Sequence, residues 1–132
     1  MAQRDLYHNV AATLSLSPAA RVTGTANGTA ADLRGFGSAV ATVSFGSYTD
    51  GTHTPKLQHS DDNVTFTDAT ATELQGAFAA LSGAGGANKV QNVGYIGNKR
   101  YVRVVITTTG ATTGALSGAN IIAGEASQAP TV

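Results

Sequence analysis

The residues best suited to chemistry in this chain are three histidines, His8, His53 and His59, and the adjacent acids Asp61 and Asp62. Imidazole nitrogens and carboxylates could hold zinc or calcium. Their spacing follows no metal-ligand pattern, however, and Asp61-Asp62-Asn63 lacks the alternating oxygen ligands and closing glutamate of an EF-hand loop. The acidic pair reads better as an Asx turn, in which a carboxylate accepts backbone amides ahead of it. The histidines are expected at the surface or at an interface. Neighbouring carboxylates in a turn diverge into water, whereas acid–base catalysis needs them held together in a cleft. No Gly-x-Ser-x-Gly elbow marks a nucleophilic serine, and the chain has no cysteine, so thiolate metal sites and cysteine nucleophiles are out. Gly83, Gly85 and Gly86 lack strand-to-helix context and a lysine in P-loop spacing, and read as loop. Lys99, Arg100 and Arg103 form the one basic cluster, beside Tyr95 and Tyr101. Cations and aromatics together can bind single-stranded nucleic acid, but Arg100 and Arg103 fall on opposite faces of one strand. Arg103 is expected to pair with an acid across the sheet, with Tyr101 covering the sheet edge. No catalytic, metal or cofactor site is expected, and no enzyme.

The elements around these residues read as strands. Ala39, Ala41, Val43 and Phe45 alternate with Val40, Thr42 and Ser44, the period of a half-buried strand. Tyr48 to Thr52 reads as a turn, since Asp50-Gly51 supplies the positive φ that hairpin loops need. Lys56 to Ser60 and Val64 to Thr67 form a hairpin about the acidic turn, with Leu57 and His59 on one face. Arg100 to Thr108 is the strongest strand, and Val102, Val104 and Ile106 should face the core. Leu74, Phe78 and Leu81 have helical spacing, but Gly76 and the β context limit this stretch to a short helical piece in a long connection. Ser82 to Asn88 reads as a flexible loop, and Ala115 to Ala123 as the last strand. Seven to nine short strands at hairpin spacing predict an all-β fold, an antiparallel β-sandwich of jelly-roll-like or immunoglobulin-like type with extended termini.

At 132 residues the chain suits one domain with a core of its own: an N-terminal arm over 1–18, a sandwich over 19–123 and a tail over 124–132. Lys plus Arg equals Asp plus Glu at eight each, a balance that makes no electrostatic case for nucleic acid or anionic lipid. Charged residues are only 12% of the chain, about half the usual share. An outer surface so poor in charge is either covered by uncharged polar groups or covered by neighbouring molecules. There is no run of eighteen apolar residues for a membrane span. Met1 to His8 lacks the apolar stretch of a secretion signal, so export is not expected.

The segments Leu57-Gln58-His59-Ser60-Asp61-Asp62-Asn63-Val64-Thr65-Phe66 and Tyr95-Ile96-Gly97-Asn98-Lys99-Arg100-Tyr101-Val102-Arg103-Val104, in a stretch from about Val40 to Ile106, resemble small structural proteins of tailed bacteriophages, of the capsid decoration or cement type. Discoidin-like carbohydrate binders use a similar hairpin and strand. The phage resemblance implies a β-sandwich on the outside of an icosahedral head, assembled in the host cytoplasm, that bridges neighbouring major capsid subunits and carries no active site. The implied partners are the major capsid protein and further copies of the chain, as a dimer or trimer, with neither nucleic acid nor membrane. Extended termini can add to a neighbour's sheet edge, so Arg4, Asp5, Leu6, Tyr7, His8, Pro18, Glu125 and Pro130 are the candidate interface residues. The alternative function is a carbohydrate- or receptor-binding module of a phage tail or surface structure, although the absence of Trp leaves few aromatic platforms for a sugar.

Overall fold

The computed structural model describes residues 6–126. Ten strands follow in chain order: β1 Ala11–Arg21, β2 Gly24–Asn27, β3 Ala31–Asp32, β4 Phe36–Tyr48, β5 Thr52–Ser60, β6 Thr67–Asp68, β7 Leu74–Gln75, β8 Lys89–Tyr95, β9 Tyr101–Thr109 and β10 Ala115–Ala126. They form two antiparallel sheets that do not close into a barrel. The first runs β1-β10-β4-β8-β7 and the second β2-β9-β5-β6, with β3 also on β9 beyond the end of β2.

The pairing is nested. β1 pairs with β10, β2 and β3 with β9, and β4 with β8, while β5 and β6 close the fold at the middle of the chain. The ribbon then curls so that β4 also meets β10 and β5 also meets β9. Period-two alternation supplies the reason that each sheet has one dry face. Ala39, Ala41, Val43 and Phe45 of β4 and Ala119 and Ile121 of β10 bury against Leu57 of β5 and Val102, Val104 and Ile106 of β9 in one cluster. The three β9 residues are wholly buried, each contributing roughly 1.5–3 kcal/mol of apolar transfer.

A polar rivet joins the sheets where β2 has ended on β9 and β3 has not begun. Val104 there lacks a ladder partner for its N–H, and a register shift between Leu14 and Leu16 turns Ser15 inward from β1. Ser15 Oγ accepts the Val104 N–H at 3.0 Å and donates to Thr29 O at 2.9 Å. Gly28 must be glycine at this crossing, because a Cβ would collide with Ser15 Oγ and with the carbonyl oxygens of Val104 and Ser15.

Several expectations change. Residues 11–18 of the expected arm lie in β1, and 124–126 of the expected tail lie in β10. The strand returning from the acidic turn is only Thr67–Asp68, since the carboxylate of Asp62 and the hydroxyl of Ser60 hold residues 62–65 in a looped turn. The one-turn 3-10 helix Ala71–Glu73 lies just ahead of the residues with helical spacing, the first of which, Leu74, opens β7. Leu81 instead faces the core and exchanges backbone bonds with His53, each 2.8 Å.

Candidate functional site

The chemically capable residues lie on the second sheet and its loops, where they bond to one another. Asp62 Oδ1 accepts the Val64 and Thr65 amides, both at 2.9 Å, and the Ser60 hydroxyl at 2.8 Å. Those amide bonds, the Thr65 one foremost, pull its pKa down to about 2, so the Asx turn expected from sequence is present. Asp61 holds Lys99 Nζ at 2.8 Å, and that bond raises the lysine's pKa. Asp32 takes Arg100 in a two-pronged pair at 2.8 and 2.7 Å and falls to about 2 as a result.

Two sequence expectations are corrected here. His53 and His59 are not surface residues, being 0% and 4% exposed. His53 Nε2 donates to Asp50 O at 3.0 Å, a carbonyl that can only accept, and Nδ1 shares a hydrogen bond with the Thr108 hydroxyl at 3.0 Å. His59 Nδ1 meets the Tyr95 hydroxyl at 2.8 Å, and Tyr95 accepts the Lys99 N–H at 3.1 Å. Burial raises the Tyr95 pKa, favouring the protonated phenol that donates to His59. Each ring fills an inward position of β5 with hydrogen bonds available, which makes it affordable in a core. Arg103, in turn, has no acid across the sheet. Its guanidinium bonds Gln58 Oε1 at 3.1 and 2.8 Å and lies 3.9 Å from the centre of the Phe66 ring, and burial lowers its pKa. Tyr101 lies under Arg100 instead, at 4.9 Å.

This network pairs its charges with one another, and Asp61, Lys99 and Arg100 border an open depression together with Arg34 and Asn98. Among the described residues no cluster of three His, Asp or Glu could hold a metal ion. No helix there is long and apolar enough to cross a membrane.

The other sheet presents the opposite surface. Register places Ala12, Ile122, Val40 and Gly94 in one row on its outer face, Leu14, Asn120, Thr42 and Asn92 in the next, and Gly118, Ser44 and Val90 in a third, with Leu116 beyond. None of these residues is charged. Arg21, Lys89 and Glu125 lie only at the strand ends. Val90, Leu14 and Leu116 are 60%, 50% and 48% exposed. Between the projecting side chains, glycines leave two depressions. One of about 250 Å³ is lined by Leu14, Pro18, Gly46, Leu116, Gly118 and Asn120. A second is lined by Leu6, Val10, Val40, Gln75, Gly94 and Ile122.

The candidate interface residues from sequence divide against this face. Leu6 and Pro18 line its depressions. Tyr7 is 69% exposed, packed edge-on against the exposed His8 at 5.0 Å. Glu125, the last residue but one of β10, has positive φ beside Gly37. Arg4, Asp5 and Pro130 lie outside the described residues. Sequence reasoning missed the face itself. Its signal was the lack of any charge at the even positions from 40 to 44 and 116 to 122, which normally carry the polar half of an alternating strand.

No protein-family model matches the chain, and a comparison with curated proteins returns no match.

Proposed function

We propose that the protein is a structural component of a bacteriophage particle, a decoration protein on the capsid exterior that binds the major capsid protein and bridges neighbouring subunits. The observation that carries this reading is the uncharged outer face of the first sheet, a surface suited to cover by other protein in an assembly. The nested strand order favours a jelly-roll sandwich over an immunoglobulin-like one, because the first long strand pairs with the last and each later strand with an earlier one in reverse order. Jelly rolls serve as capsid and lectin domains alike. A polar network whose acids and cations are paired with one another fits a role without catalysis, and the reading assigns no cofactor, nucleic acid or membrane. Stabilisation then comes from avidity, many copies each adding modest energy across subunit boundaries.

Co-sedimentation of the purified protein with heads lacking it tests the reading. Saturable binding at a stoichiometry matched to capsid symmetry, with heads more resistant to heat, is the expected outcome. No association at micromolar protein, together with a clear glycan-array signal, would replace decoration with the carbohydrate-binding alternative.

A further inference from the structure

We propose that the outer face of the first sheet is covered by a second copy of the same chain, related by a two-fold axis. The inference rests on the assembly reading for its purpose: the cover that reading gives the first sheet's outer face comes from a second copy, and the pair meets the capsid through its remaining surfaces, two of each, and so can bridge; its physical basis is the face alone. Three features favour self-pairing over a different partner.

The face is neutral throughout, so it meets itself without like-charge repulsion in any rotation, and it offers a charged partner nothing to recognise. It also carries knobs and holes on one surface. Leu14, Leu116 and Val90 project, while Gly46, Gly94 and Gly118 leave depressions among them, the self-complementarity an isologous contact requires. A Cβ on Gly118 would meet Pro18 at 3.2 Å, and one on Gly46 would meet Leu116 at 3.0 Å, so a side chain at either position fits only if that neighbour gives by a few tenths of an ångström.

The area suffices as well. Four strands, each about 4.8 Å wide, and the run from Leu116 to Gly124 at about 3.3 Å per residue give roughly 500 Å² per copy. Two copies bury about 1,000 Å², the lower bound for a specific interface. Pairing through sheet edges is disfavoured by contrast. β1 carries two register shifts and Pro18, and Gln91 bonds Ala79 N and O at 2.8 and 3.0 Å, so that the 77–80 segment covers the β8 edge.

Sedimentation equilibrium on the purified chain is the test. Twice the 13.2 kDa chain mass is expected at low micromolar concentration. Leu14→Glu and Leu116→Glu, each at a half-exposed outward position, should raise the dimer dissociation constant at least about a hundredfold by burying an unpaired charge, with the circular dichroism spectrum retained. Thr54→Glu, on the exposed side of β5, should leave it unchanged. Because the chain has no cysteine, nitroxides can be added singly, and labels on Ser44→Cys should lie closer together across the dimer than labels on Thr54→Cys. A wild-type monomer at roughly 100 µM, a dimer indifferent to both glutamates, or the reverse order of label distances would overturn the proposal. Head binding by a monomer would leave decoration standing without the dimer, and a dimer that ignores heads would do the opposite.

Discussion

Replacing Ser15 by alanine removes the side chain whose hydroxyl ties β1 to β9 across the gap between β2 and β3. Ser15 is 5% exposed, so water does not readily take its place. The Val104 N–H, on a wholly buried residue, loses its acceptor at 3.0 Å, and Thr29 O loses a donor at 2.9 Å. An orphaned buried donor costs about 1–3 kcal/mol and a lost ordinary bond about 1 kcal/mol, so Ser15→Ala should destabilise by about 2–4 kcal/mol. For a domain of this size that corresponds to a fall in Tm of about 10 °C. Urea unfolding at fixed protein concentration measures the stability. Amide exchange of Val104 gives an independent local readout, which should rise well above that of Val102 on the same strand. Ser17→Ala, two residues along β1 and exposed, should change stability by less than about 0.5 kcal/mol. A Ser15→Ala cost below about 0.5 kcal/mol, or an unchanged Val104 exchange rate, would refute the rivet.

Ser117 is 3% exposed and its hydroxyl has no hydrogen-bond partner; Ser117→Ala should therefore be neutral or stabilising by up to about 1 kcal/mol in the same urea assay. Stability should fall as acid is added. Asp32 and Asp62 have folded pKa values near 2, below the ordinary 3.8, so their contributions are complete above the unfolded value and disappear as pH drops toward 2. Thermal melts between pH 6 and pH 2 should show that decline, and Asp62→Asn should flatten it; an equal slope in the variant would count against the turn as its source.

Much of the scaffold was legible because a strand writes its burial into every second residue. The inward trio of β9, the dry side of β4 and the Asx turn at Asp62 all depend on neighbours within a few positions; Asp50-Gly51 is a turn as read, but it carries the chain from one sheet to the other, because β4 and β5 do not pair and the Asp50 carboxylate holds the distant Thr112 and Gly114 amides. The histidines misled for the complementary reason. His59 is tolerated in the core because Tyr95, far along the chain, brings a hydroxyl to its Nδ1, and His53 because Thr108 and Asp50 meet its two nitrogens. The Arg103 reading failed similarly: the residue opposite it on β5 is Gln58, and Phe66 reaches over from the loop.

By itself the sequence determined an all-β chain, its strand faces, its near-absence of charge and its lack of a recognisable catalytic motif, because these follow from residue type and short-range period. Tertiary structure alone decided the nested order of the strands, the Ser15 crossing between sheets and the segregation of charge. Pairing β1 with β10 and β4 with both β10 and β8 brings four uncharged strand faces side by side. Each strand is unexceptional alone, and only long-range register assembles them into a surface.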